Sequence, residues 1–199
     1  LYVRLNISET PEFEANKKKN KPLSVPFMTV FKEHSKPLFL GTFVALATFV
    51  LFYLMTVFIA SWSISKLDIT RDIFLENQIL SVFFFTLLIP ISALMADRYG
   101  RKAILMTASL MIMIFGFFFT PLLGASDANS ILITLSIGMA LMGFTYGPLG
   151  TILSELYPTN VRYTGASLSF NLAGIVGASF APFIALWLSA NYGIEFVGY

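Results

Sequence analysis

Residues 77–124 read NQILSVFFFTLLIPISALMADRYGRKAILMTASLMIMIFGFFFTPLLG. Two apolar runs, Asn77–Ala96 and Ala103–Gly124, flank the hexapeptide Asp97-Arg98-Tyr99-Gly100-Arg101-Lys102, which holds every charge in the stretch. A helix needs about 20 mostly apolar residues to cross roughly 30 Å of hydrocarbon, and each run reaches that length. The pattern is that of two membrane-spanning helices joined by a tight, hydrated, basic turn.

Three more segments of the same kind lie outside this pair: Pro37–Ser65, Ser130–Ser154 and Thr164–Ala190. None of the five contains Asp, Glu, Lys, Arg or His. Composition agrees, with 56% hydrophobic residues, 12% charged residues and a mean hydropathy of +0.76. A soluble domain carries roughly 25% charged residues, because its surface must face water. Five apolar helices in succession cannot all be buried inside 199 residues. The expected fold is an all-α membrane protein with five transmembrane helices over 37–65, 77–96, 103–124, 130–154 and 164–190. Residues 1–36 form a linker and 37–199 the transmembrane bundle.

The connectors set the orientation. Arg4, Lys17, Lys18, Lys19, Lys21, Lys32 and Lys36 precede the first span, Arg98, Arg101 and Lys102 follow the second, and Arg162 follows the fourth. Alternation places all of these on one side, leaving only Lys66 and Arg71 on the other. Lys and Arg accumulate on the cytoplasmic side, so residues 1–36 are expected there and the C-terminus outside. An odd number of spans predicts at least one further helix. The chain opens on Leu1 without a basic, then apolar, then small-residue leader, so its start reads as an internal one. Within the linker, Leu23, Phe27, Val30 and Phe31 recur at helical spacing beside Lys32 and Glu33. A short interfacial helix and a loop with a few apolar contacts are equally compatible with that pattern, and Lys17–Lys21 suits anionic lipid.

The hexapeptide Asp97–Lys102 resembles the loop signature of the major facilitator superfamily, Gly-x-x-x-Asp-Arg-x-Gly-Arg-Arg. Ala93 stands where that family usually has Gly, which argues against a very close helix approach at this point. The run Glu155-Leu156-Tyr157-Pro158-Thr159-Asn160-Val161-Arg162-Tyr163-Thr164-Gly165-Ala166-Ser167 resembles a loop of the C-terminal half of metabolite:proton symporters, and Glu9-Thr10-Pro11-Glu12-Phe13 resembles the segment after their sixth helix. The resemblance implies the C-terminal half of a major facilitator superfamily helical bundle, helices seven to eleven, truncated before a final helix. It implies a proton-coupled secondary carrier of a small polar metabolite, of organic acid or osmolyte type, in the cell inner membrane. The implied partners are that substrate, protons, the lipid bilayer and an N-terminal half of the same protein.

Site residues fall into two groups. Asp97, Arg98, Gly100, Arg101 and Lys102, with Glu155 and Arg162, lie at the cytoplasmic boundary and are expected to act as a conformational gate. Glu155 and Arg162 could pair across Pro158, or each with another loop. Uncharged polar residues deep in the spans, Tyr53, Thr56, Tyr146 and Asn171, are the substrate-contact candidates, because an amide or hydroxyl in hydrocarbon must find a partner or a cavity. Asn171 shares a polar, small face with Ser167 and Gly174, which favours the bundle interior. Gly143 and Gly147, and the stripe Gly165, Ser169, Ala173, Gly177 and Ala181, suit close helix packing. Pro90, Pro148 and Pro182 offer bending points.

Other classes find little support. Cysteine is absent, which removes disulfides, thiolate metal sites and a cysteine nucleophile. The one histidine, His34, lies in the linker, so no His-containing catalytic or metal constellation forms in a span. No cofactor, metal or nucleic-acid partner is implied, and an enzyme is not expected. A channel or a non-transporting membrane subunit is the alternative, although no short re-entrant filter is visible.

Overall fold

The computed structural model describes residues 26–67, 69–123 and 127–198. The Glu9–Phe13 motif, Lys17–Lys21 and Leu23 lie outside the described residues, as does 124–126 of the turn before the fourth span. Helix α1 (Pro26–Glu33) precedes five long helices. These are α2 (Ser35–Lys66), α3 (Arg71–Tyr99), α4 (Arg101–Leu123), α5 (Ala128–Glu155) and α6 (Arg162–Asn191), and a final turn of helix, α7 (Glu195–Gly198), follows. The shortest of the five has 23 residues, about 35 Å at 1.5 Å per residue, long enough to span a bilayer. The five expected spans are therefore present, and their order is the expected one.

Their ends extend beyond the apolar runs. α3 begins six residues before Asn77, at Arg71, because Thr70 caps it by accepting from the Ile73 amide at 3.5 Å. Its first two turns thus carry Arg71, Asp72 and Glu76, charges the apolar run had excluded. α5 starts at Ala128 under a reciprocal cap: the Ser130 amide donates to Asp127 Oδ1 at 2.8 Å, and the Asp127 amide to Ser130 Oγ at 3.3 Å. The linker also changes in part, since Pro26–Glu33 is a helix rather than a loop, and α2 already begins at Ser35.

α5 is the central element, with α3, α4, α2 and α6 all packed on it; the two most extensive pairings are α3 on α5 and α2 on α6. The outward faces of α3 and α4 carry Ile79, Phe83, Leu94, Met106, Met113 and Phe117, the surface a lipid-facing helix requires. Lipid supplies no hydrophobic drive for helix association, so close contact and internal hydrogen bonds must hold the bundle. A Cβ at Gly143 would meet the Phe85 carbonyl, and one at Gly147 would meet Ser92 Oγ and the Ile89 carbonyl. α3 and α5 therefore approach closely beside Ala93 after all, because α5 provides the missing glycine. The Gly165–Ala181 stripe is buried as expected, with Gly177 against Phe49 of α2.

Polar side chains add cross-ties. Thr48 of α2 donates to Thr145 of α5 at 2.9 Å, Asn77 of α3 to the Ala128 carbonyl at 2.8 Å, and Ser92 of α3 to the Gly143 carbonyl at 3.3 Å. Each helix continues through its internal proline, Pro90, Pro121, Pro148 or Pro182. The irregularity in α2 has another form: Leu54–Phe58 is a π-helical turn. It places buried Met55 in the notch that Gly138 leaves on α5.

Candidate functional site: a charged cluster at the helix ends and a polar cleft

The α3–α4 turn is as tight as its sequence requires. Gly100 ends α3 with φ 93° and ψ 133°, a backbone conformation that residues with a Cβ rarely adopt. One residue later α4 begins, so Asp97, Arg101 and Lys102 gather at one end of the bundle. Arg101 lies 3.6 Å from Asp97 and pairs with Glu155, the last residue of α5. Arg98 lies over the Tyr99 ring at 5.3 Å. Of the two arrangements open to Glu155, pairing across Pro158 or with another loop, the second is found. Arg162 Nε donates to the Tyr157 carbonyl at 3.4 Å.

The helix ends make this cluster conditional. A helix N-terminus disfavours a cation and a C-terminus an anion, by about 0.3–1 kcal/mol each. Arg101 is the first residue of α4, Asp97 lies in the last turn of α3, and Glu155 ends α5. Each charge opposes its own helix dipole; Asp97 and Arg101 face each other across the Gly100 turn, whereas Glu155 is offset only while the end of α5 stays beside the start of α4.

In the loop that follows Glu155, Tyr157 is buried and its hydroxyl hydrogen-bonds Ser169 at 2.7 Å. Burial pushes the Tyr157 hydroxyl up from its ordinary value, partly opposed by that bond. A Cβ at Gly165 would collide with the Tyr157 ring, so the Thr164-Gly165 step of the motif serves to seat Tyr157. Val30 of α1, Leu38 of α2 and Val161 complete this cluster, with His34 edge-on to Tyr157 at 6.5 Å between centroids.

The α5–α6 seam opens into a cleft of about 520 Å³ that includes Gly150, Ser154, Arg162, Ser167, Phe170 and Asn171. Tyr146, one turn from Gly150, sets its ring against Phe85 at 5.7 Å and Phe170 at 6.4 Å. Asn171 is exposed on this face rather than inside the bundle, and its amide donates to the Ser167 carbonyl at 2.8 Å. The polar, small face shared with Ser167 opens into this cleft, and within this chain the amide is satisfied by Ser167. Tyr146 and Asn171 are thus brought together around Phe170. Tyr53 and Thr56 lie on α2 at the π turn, half-buried, with Thr56 donating to the Phe52 carbonyl at 2.7 Å and the Tyr53 ring edge-on to Phe52 at 5.1 Å. No group of three or more His, Cys, Asp or Glu able to hold a metal occurs among the described residues.

The model of the family of sugar (and other) transporters matches residues 6–199. The chain belongs to that family. It is 42% identical over its whole length to the inner membrane metabolite transport protein YhjE of Escherichia coli K12, covering 46% of that protein. It is 38% identical, again over its whole length, to a putative metabolite transport protein of Haemophilus influenzae, covering 48% of it. The shikimate transporter of Escherichia coli K12 is 26% identical over 93% of the chain, which covers 43% of that protein. The chain spans about half the length of the curated relatives it matches. No solved structure matches it significantly.

Membership of the sugar (and other) transporter family agrees with the major facilitator resemblance of the Asp97–Lys102 turn. A share of 46% is the size of one half of such a carrier, as the C-terminal reading requires. In this family member, sequence reasoning missed the Tyr157–Ser169 bond, the Thr48–Thr145 bond and the π turn. Small residues at four-residue spacing below Ser169 pointed to the first; nothing local marked the other two.

Proposed function

We propose that this chain is the C-terminal half of a proton-coupled secondary carrier of a small polar metabolite in a bacterial inner membrane. Residues 1–36 and the Arg101 end lie on the cytoplasmic side. Substrate binds between two six-helix halves, and rocking of one half against the other alternates access. The observation that carries the reading is the Asp97–Arg101–Glu155 cluster. Within it, the Arg101–Glu155 contact favours one packing of the α5 end against the α3–α4 turn, and that support is lost when the ends part. Such a contact biases a two-state carrier without needing a deep charge.

The contrast between faces supports the transport path. α3 and α4 turn Phe, Leu, Ile and Met outward, and α6 does so at Ile175, Phe180 and Phe183, whereas the α5–α6 seam exposes Tyr146, Gly150, Thr151, Ser167 and Asn171 beside half-buried Ser154. A surface of hydroxyl, amide and glycine is costly against hydrocarbon and suits an aqueous path or the facing half. Tyr146 and Asn171 are the substrate contacts favoured by this placement, with Tyr53 and Thr56 at the π turn as the contribution of α2. The shikimate transporter among the relatives fits a polar, hydroxylated cargo. The test is uptake of a panel of labelled organic acids and osmolytes by the full-length protein in proteoliposomes, with and without a protonophore. Concentrative uptake abolished by the protonophore supports the reading; uptake without acceleration by preloaded substrate would point to a channel instead.

A further inference from the structure

The α5–α6 cleft holds a single charge among its described lining residues, and that charge is positive. Arg162 opens α6 half-buried, with its Nε held by the Tyr157 carbonyl at 3.4 Å. The polar lining beside it is uncharged: Ser154 of α5, Thr159 of the loop, and Tyr163, Ser167 and Asn171 of α6. The Asn171 amide spends its N–H groups on Ser167, while its carbonyl oxygen has no partner among the described residues. Gly150 leaves open space on the α5 side, since a Cβ there meets nothing within 4 Å. Arg162 and Asn171 are separated by about 13.5 Å of helix axis at 1.5 Å per residue, a span that the long Arg side chain shortens. The volume, about 520 Å³, falls within the range of about 300–1,000 Å³ usual for small-molecule sites.

We propose that this cleft selects a small hydroxylated carboxylate, its anionic end on Arg162 and a hydroxyl donating to Asn171 Oδ1. The proposal rests on the seam being the substrate path, and it adds the charge of the cargo. A guanidinium presents planar donors that match a carboxylate two at a time. In a cleft partly withdrawn from water the same charge repels a cation, and among the described residues no acid lines the cleft to offset it. A zwitterion therefore brings one end that the site rejects. Nor do the rings close round an ammonium as an aromatic cage does. Tyr163 and Phe170 are about 10.5 Å apart along the axis of α6, and Phe170 is already edge-on to Phe49 at 4.9 Å and to Tyr146 at 6.4 Å. An apolar tail is disfavoured as well, because covering Asn171 Oδ1 with hydrocarbon forfeits its hydrogen bond to water.

Binding to the purified full-length carrier is measured by calorimetry in detergent, with no gradient present. The probes are shikimate, quinate and glycerate, each against its uncharged methyl ester, with glycine betaine as the zwitterion. The expected result is at least one acid bound about tenfold or more tightly than both its ester and betaine, the scale of a charge-assisted pair. Arg162→Gln should bring that acid to within about threefold of its ester and leave the ester's affinity unchanged, which shows that the cleft is intact. Arg162→Lys keeps the charge but not the fork and should retain part of the preference. Asn171→Leu should weaken acid and ester alike, because both carry the hydroxyls. Silence from all three acids overturns the proposal, as does betaine as the tightest ligand or an acid preference that survives Arg162→Gln. A betaine site weakened by Asn171→Leu would reverse the charge and leave the path on this seam. Binding indifferent to both Arg162→Gln and Asn171→Leu would remove the path from the seam as well.

Discussion

Arg101 opens α4 and its guanidinium pairs with Glu155, the last residue of α5, while Asp97 of α3 lies 3.6 Å away. All three side chains are substantially exposed, and exposed ion pairs contribute only about 0.2–1 kcal/mol. Arg101→Gln and Glu155→Gln should each cost less than about 1 kcal/mol in the unfolding of the purified protein. If the cluster is a gate, the same changes in the full-length carrier should lower uptake by up to about fivefold, the largest shift that about 1 kcal/mol gives a two-state equilibrium. A double-mutant cycle on uptake should show that the two changes do not add. Additive losses would mean that the pair is an ornament of the surface.

The α3–α5 contact gives a prediction of the opposite kind, large in stability. A Cβ at Gly143 runs into the backbone carbonyl of Phe85, which cannot rotate away, whereas one at Gly150 meets nothing within 4 Å. Gly143→Val should therefore destabilise by about 1–3 kcal/mol, the usual range for overpacking. Gly150→Ala should stay within about 0.5 kcal/mol of the parent. Thermal unfolding in detergent measures both, and similar shifts at the two positions would contradict the close approach.

Most of the fold was legible because a bilayer makes strong demands: five apolar runs of spanning length became five long helices. Helix ends were less legible, since they depend on caps. Thr70 and the Asp127–Ser130 pair extend α3 and α5 into polar sequence that hydropathy alone assigns to loops. At the site, the Asp97–Lys102 turn could be read from Gly100, but the partner of Glu155 could not. That partner depends on which helix ends meet, a property of packing rather than of spacing. Asn171 shows the same limit. Its amide is satisfied by the carbonyl four residues earlier, and it faces a cleft that only the packing of α5 on α6 creates.

Tyr157 ties the loop after α5 to α6 through Ser169 at 2.7 Å. Tyr157→Phe keeps the ring in its Gly165 seat and removes one hydrogen bond, which should cost about 1 kcal/mol. The pH dependence follows from burial, which raises the Tyr157 hydroxyl above its ordinary value. A raised value means that the neutral hydroxyl is the favoured form in the folded protein. Its stabilisation is complete below about pH 10, the unfolded value, and is lost as pH rises through the folded one. The stability gap between the parent and Tyr157→Phe should therefore be flat from about pH 5 to about pH 9 and narrow only at strongly alkaline pH. A gap that changes near neutrality would assign the contact to another titrating group.

The substrate path has its own discriminating substitution. If the α5–α6 seam faced lipid, Asn171→Leu would replace an amide by a hydrocarbon side chain in hydrocarbon, and would be neutral or stabilising. If the seam lines the path, the same change removes a polar group from the cleft shared with Ser167 and Arg162. Asn171→Leu should then leave expression and thermal stability of the full-length carrier unchanged within about 0.5 kcal/mol, because among the described residues Asn171 bonds only to Ser167, its neighbour on the same helix. Uptake should fall at least tenfold. Tyr146→Phe keeps the stacking on Phe85 and Phe170 and removes only the hydroxyl, so it separates a packing role from a polar contact. A raised KM with unchanged kcat at Tyr146→Phe would mark binding of substrate. Wild-type uptake from both variants would move the path off this face and leave the seam to packing against another helix.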